Sequence, residues 1–133
     1  MTNKPMIAIV DDDADDREIV KDAFLAVTED REYGLFENGE ELLQHLQSGG
    51  SNELPELVLL DLNMPGMDGR ETLKAIKSHP VYKTIPVLIF TTSSSPKDKS
   101  NAYALGANCF ISKPDTFQKL TEMAQCVTKL WLR

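Results

Sequence analysis

Apolar residues along this chain gather in short unbroken runs separated by stretches of helical spacing. The runs are IAIV (7–10), LVLLDL (57–62), PVLIF (86–90) and CFI (109–111), with a weaker, mixed one at 33–36. A run of strand length, rich in Leu, Ile and Val and closed by turn residues, reads as a strand buried on both faces. The mixed character of 33–36 suits a sheet edge. Between the runs, Ile19, Val20, Ala23, Phe24 and Val27 recur at helical spacing, then Leu42, Leu43 and Leu46, then Leu73 and Ile76. A fourth helix is signalled by Ser95-Pro96 with Asp98 and should end at Gly106. In the last helix Phe117, Leu120, Ala124, Val127 and Trp131 mark one face, and Met123, Cys126 and Leu130 an adjacent one.

The punctuation agrees with the pattern. Asp13 is placed to cap the first helix, Asn38 with Glu41 the second, Asp68 with Glu71 the third, and Asp115 with Gln118 the last. Ser48-Gly49-Gly50-Ser51 should stop the second helix, and His79-Pro80 the third. Five strand signals alternating with five helix signals predict an α/β fold: a doubly wound parallel sheet with helices on both faces. Parallel neighbours need crossovers of roughly a dozen residues, which the helices supply.

That topology puts the C-terminal end of every strand on one rim, where open α/β sheets place their sites. Asp11, Asp12 and Asp13 follow the first strand, Asp61 the third, Thr91 the fourth and Lys113 the fifth. Asp61 is the anomaly, an acid at the end of a fully apolar run while Asp68 already serves the next helix as cap. Carboxylates converging on one rim repel, by roughly 4 kcal/mol for two unit charges about 4 Å apart at an effective dielectric near 20. They call for a cation. Oxygen ligands without His or Cys select a hard ion such as Mg²⁺. With Lys113 and the Thr91 hydroxyl beside it, the set describes a carboxylate nucleophile prepared for a phosphoryl group.

Composition narrows the alternatives. At 133 residues, 41% hydrophobic and 26% charged, the chain suits one domain with a proper core. A net charge of −7 with no Lys/Arg-rich stripe argues against direct nucleic-acid binding. No apolar stretch reaches membrane-spanning length and none forms a signal peptide, so a cytoplasmic protein is expected. Cys109 and Cys126 match no metal-ligand spacing and are expected to pack in the core. His45 and His79 are read as ordinary helix residues.

At these residues the chain resembles the receiver domains of two-component response regulators. The resemblance rests on the acidic pair after the first strand, DLNMPGMDG around the third, TTSSS after the fourth and the Lys-Pro of SKPD after the fifth. It implies a flavodoxin-like fold with strand order 2-1-3-4-5, a single receiver domain over 1–133 and no output domain. It makes Asp61 the phosphoacceptor. Asp11 and Asp12 would hold Mg²⁺ together with Asp61 and the Asn63 backbone carbonyl, though three successive acids leave the register open between Asp11/Asp12 and Asp12/Asp13. Thr91 would bond the phosphoryl oxygens, Lys113 would neutralise them, and Phe110 falls where the family keeps an aromatic switch. The implied partners are a sensor histidine kinase or a phosphotransfer protein, with a homodimer through the fourth helix, fifth strand and fifth helix as a further one. DLNMPGMDGRE and TTSSSPKDK look most like stand-alone regulators that serve phytochrome-type or hybrid kinases.

Thr92 stands where the family commonly has Ala, and Phe110 lacks the hydroxyl that a tyrosine would bring. A flavodoxin-type cofactor binder would place phosphate against Asp11-Asp12-Asp13, which would repel it. An aspartyl-nucleophile phosphatase of the related fold would carry an acid where this chain has Asn63. A receiver-like docking module that takes no phosphate remains the alternative. Gain and loss of the phosphoryl group on the chain's own side chain would be its only chemistry, so no enzyme in the ordinary sense is expected.

Overall fold

The computed structural model describes residues 5–49, 54–64 and 66–132. In chain order the elements are β1 (Met6–Val10), α1 (Ala14–Leu25), β2 (Glu32–Phe36), α2 (Gly39–Gly49), β3 (Leu57–Leu60), α3 (Gly69–Ser78), β4 (Val87–Thr91), α4 (Pro96–Ala104), β5 (Cys109–Ser112) and α5 (Phe117–Trp131). A short 3-10 turn, Tyr82–Thr84, lies between α3 and β4. All strands are parallel, in the order β2-β1-β3-β4-β5, the flavodoxin-like arrangement.

The continuous apolar runs are explained by a core on each side of the sheet. Ile7 and Ile9, Leu57 and Leu59, Leu88 and Phe90 face α1 and α5, where Val20, Ala23, Phe24, Leu120, Ala124 and Val127 meet them. Ala8 and Val10, Val58 and Leu60, Val87 and Ile89 face the opposite way, against Leu42 and Leu46 of α2, Leu73 and Ile76 of α3 and Ala102 of α4. Strand side chains alternate, so each central strand must be apolar at every position. β2, at the edge, is only half-buried, as its mixed sequence requires.

Caps set the helix starts. Asp13 accepts from the Asp15 and Asp16 N–H groups, Asp68 from Glu71, and Ser95 from Asp98 with Pro96 opening α4. Asn38 Oδ1 accepts from the Glu41 N–H at 2.9 Å while the Glu41 carboxylate reaches back to the Glu37 N–H at 2.6 Å. α4 closes into Gly106, whose φ of +104° favours glycine. Of the expected stop at Ser48-Gly49-Gly50-Ser51, the last two residues lie outside the described residues, as does Pro65 of the turn after β3.

Five expectations need correction. α5 is capped by Thr116, not Asp115: Thr116 is the last extended residue, and its hydroxyl accepts from the Lys119 N–H. Asp115 is one residue too early and instead pairs with Lys119 Nζ at 3.4 Å. Ile19 is 45% exposed despite its helical spacing: it borders an open recess beside Phe117 and Leu120 of α5, while Val20, Ala23 and Phe24 carry the packing of α1. Cys126 is exposed rather than packed in the core, and Cys109 is half-buried. His79 is not within a helix. It ends α3, its Nδ1 accepts from the Val81 and Tyr82 N–H groups, and its ring stacks on Tyr82 at 3.7 Å. Phe117 and Leu130 are the exposed large apolar residues of α5, at 53% and 77%, so Phe117 lies outside the packed part of its expected face, while Met123 and Trp131 lean against the core. Among the described residues no helix is long and apolar enough to cross a membrane.

Candidate functional site

The strand ends deliver the predicted residues to one rim. Asp11 directly follows β1 and Asp61 follows β3, and the two neighbouring strands are stitched there by the Asp61 N–H donating to the Val10 carbonyl at 3.0 Å. Carboxylate oxygens of Asp11, Asp12 and Asp61 all lie within 4.8 Å of one another. Asp11 and Asp61 are buried and Asp12 is exposed. Asp13 is turned away into its capping role, so the geometric triad contains Asp11 and Asp12. Asn63 is exposed beyond Asp61, and its N–H donates to Asp61 Oδ1 at 3.3 Å.

Lys113 reaches the cluster from the end of β5. Its Nζ donates to Asp11 Oδ2 at 2.6 Å, Asp16 Oδ2 at 3.1 Å and Asp61 Oδ2 at 3.3 Å. The aliphatic stem brings the ammonium to 5.9 Å from the centre of the Phe90 ring. Burial on its own would depress the Lys113 pKa, but the hydrogen bond to Asp11 and the charges of Asp61 and Asp11 outweigh it and raise the value. Lys113 is therefore a fixed cation at neutral pH. Burial raises the Asp61 pKa above the ordinary 3.8; Lys113 offsets part of this and the Asp11 charge adds to it.

Asp16 is the residue that sequence reading missed. Its place in the first turn of α1 suggests only a favourable interaction with the helix dipole. No spacing rule reveals that the first turn of α1 stands over the end of β5, two elements more than 90 residues apart, the Lys113–Asp16 separation being 97.

Thr91 is the last residue of β4 and fully buried. Its hydroxyl oxygen accepts from the Ser93 N–H at 3.3 Å, and among the described residues no hydrogen bond joins it to Asp61. Phe110 on β5 is half-buried against the core beside α4, and its N–H donates to the Tyr103 hydroxyl at 3.0 Å. Thr92, the departure from the family pattern, is exposed.

A buried carboxylate among further acids, a fixed ammonium and a threonine at neighbouring strand ends define a receiver. The chain belongs to the response regulator receiver domain family, whose model matches residues 7–125. It is 36% identical to the response regulator Rcp1 of Synechocystis sp. over 135 residues, an alignment spanning 98% of this chain and 92% of that protein. The crystal structure of the Mn(2+)-bound form of Rcp1 superposes with a TM-score of 0.84 at 36% identity, covering 98% of this chain and 96% of that one. The phosphorylated cyanobacterial phytochrome response regulator RcpA gives 0.87 at 34% identity, covering 98% and 95%. Similarity to regulators of the phytochrome type, expected from DLNMPGMDGRE and TTSSSPKDK, is thus met in full-length relatives.

Proposed function

We propose that this receiver accepts a phosphoryl group on Asp61 from a histidine kinase or a phosphotransfer protein and changes its protein-binding surface in response. The observation that carries the reading is the convergence of Asp11, Asp12 and Lys113 on the Asp61 carboxylate. One Asp61 oxygen attacks the phosphorus of a donor phosphohistidine. A P–O bond forms as the P–N bond breaks, and the imidazole nitrogen keeps the electron pair. Lys113 holds positive charge where the acyl phosphate oxygens gather, and Thr91 supplies a hydroxyl donor to them. Water attack on the acyl phosphate restores the Asp61 carboxylate and inorganic phosphate. The reaction modifies the chain itself and turns over no separate substrate.

The donor set fits a hard divalent cation, since three carboxylates meet and neither His nor Cys is present. Asp11, Asp12 and Asp61, with the Asn63 carbonyl, would hold Mg²⁺, which when bound offsets negative charge on the acceptor and phosphoryl oxygens. The Mn(2+)-bound and phosphorylated states named for the two relatives support both parts of this reading. A phytochrome-type kinase is the partner that the phytochrome response regulator RcpA suggests. The surface that changes is that of α4, β5 and α5, which carries Phe110 and is the face through which a second copy would dock.

Intact-mass measurement after incubation with phosphoramidate, with and without Mg²⁺, tests the proposal. A single phosphoryl gain that needs both Mg²⁺ and Asp61, and is lost in Asp61→Asn, is expected. No gain in a folded protein, or an equal gain in Asp61→Asn, overturns it.

A further inference from the structure

The resting position of Thr91 is held from outside the acidic cluster. Its hydroxyl accepts from the Ser93 N–H, and the Ser93 side chain in turn donates to Asp98 Oδ2 at 2.6 Å. The other oxygen of Asp98 is gripped by Arg70, Nη2 to Oδ1 at 3.1 Å. The Ser93 hydroxyl also accepts from the Ser95 N–H at 3.2 Å, so the whole β4–α4 turn is drawn onto one carboxylate. Arg70 stands at the start of α3, immediately after Gly69, whose N–H donates to the Leu62 carbonyl in the segment following Asp61. A continuous polar chain therefore runs Arg70–Asp98–Ser93–Thr91, from the helix behind the acceptor loop to the hydroxyl that must serve the acceptor.

Nothing in helix formation requires this chain. The N-cap of α4 is Ser95, and Asp98 contributes only its backbone N–H to that cap. The Asp98 carboxylate is free to do something else, and both its oxygens are used on a loop and a neighbouring helix. Hydrogen bonds from Ser93 and from Arg70 hold its pKa below the ordinary carboxylate range, so it stays ionised at neutral pH. Hydrogen bonds to a charged group are about twice as strong as neutral ones.

We infer that Arg70 and Asp98 are positioning residues for phosphoryl retention: through Ser93 they hold the Thr91 hydroxyl toward its own loop, and release of Ser93 from Asp98 is what allows Thr91 to turn to Asp61. The inference rests on Asp61 being the acceptor. The latch biases a two-state loop toward rest, so loosening it favours every state in which Thr91 meets a phosphoryl group. Thr91, Ser93 and Asp98 set the equilibrium, while Asp61 and Lys113 set the chemistry.

The test uses beryllofluoride with Mg²⁺ as a phosphoryl mimic on the full chain, titrated by the backbone amide signals of Thr91 and Ser93. Proteins compared are the wild type, Arg70→Ala, Arg70→Lys, Asp98→Ala and the Arg70→Ala/Asp98→Ala double variant. Either single Ala variant should bind the mimic about three- to tenfold more tightly, the range expected for losing one partly exposed hydrogen bond from the resting state alone. Its ligand-free Ser93 signal should move toward the saturated position, a readout that general loosening does not reproduce. Arg70→Lys, which keeps the charge, should restore part of the wild-type affinity, and the double variant should gain less than the sum of the singles. Unchanged or weaker binding in both single variants, with Ser93 signals at the wild-type position, overturns the latch. A wild type that does not bind the mimic at all overturns instead the acceptor reading on which the latch depends.

Discussion

Lys113 makes its shortest hydrogen bond, 2.6 Å, to Asp11, and stands 3.3 Å from Asp61, the proposed acceptor. The ammonium at rest is thus bound mainly to Asp11 rather than to Asp61, and a cation taken up by Asp11, as proposed, would compete with it directly.

Replacing Lys113 by Ala leaves two buried carboxylates facing each other without a counter-charge. Loss of a partner from buried charged groups of this kind costs about 1–3 kcal/mol or more. The variant should unfold at lower temperature than the wild type at neutral pH. Mg²⁺ should raise its melting temperature by more than that of the wild type, because the ion supplies the charge the lysine no longer does. Thermal unfolding with and without Mg²⁺ checks both statements, and equal Mg²⁺ increments would contradict the competition.

Asp61→Asn should be more stable than the wild type at neutral pH, by about 0.5–2 kcal/mol, the usual return on relieving a site kept for function. Folding raises the Asp61 pKa, so the native state binds this proton more tightly than the unfolded one, and stability falls as pH rises from 3.8 through the raised native value. Ionised Asp61 is therefore a net burden above that window. The advantage of Asn should shrink as pH falls through the window and vanish below 3.8. Denaturant unfolding at neutral and acidic pH measures it.

Gly69→Ala should damage the segment that follows Asp61. A Cβ at position 69 would collide with the Asp61 carbonyl oxygen, which is backbone and cannot swing aside. The expected loss is about 1–3 kcal/mol, as for other overpacked sites. Unlike most glycine-to-alanine changes in a helix, which stabilise, this one should lower both the melting temperature and the rate of phosphoryl uptake.

Tyr103→Phe removes the hydroxyl that receives the Phe110 N–H and keeps the ring. Amide exchange at Phe110 should quicken, while stability drops by only about 0.5–1.5 kcal/mol, a single neutral hydrogen bond. An unchanged exchange rate at Phe110 would mean that the phenol does not tie α4 to β5 in solution.

The parts of the site legible in the sequence were those written into single elements. Asp11, Asp61, Thr91 and Lys113 each follow an apolar run, and a parallel sheet necessarily sends such positions to one rim. What escaped was contact between elements. Asp16 and Arg70 belong to ordinary helical first turns, and their partners Lys113 and Asp98 depend on how α1 and α3 are laid against distant loops. Ile19 fails for a related reason: spacing identifies the apolar stripe of α1, but how closely the start of α5 is laid against it decides how much is covered. The cap of α5 slipped from Asp115 to Thr116 because both residues cap well, and the extended backbone at Thr116 decides between them.

The distance along the chain between Asp11 and Lys113, 102 residues, orders events during synthesis. The acids of the first and third strands leave the ribosome well before the lysine that neutralises them. Until the fifth strand has emerged and paired with the fourth, Asp61 lacks the Lys113 ammonium and Thr91 lacks Ser112, its partner in the β4–β5 register. The rim that brings Asp11, Asp61, Thr91 and Lys113 together is therefore complete only when all five strands have paired.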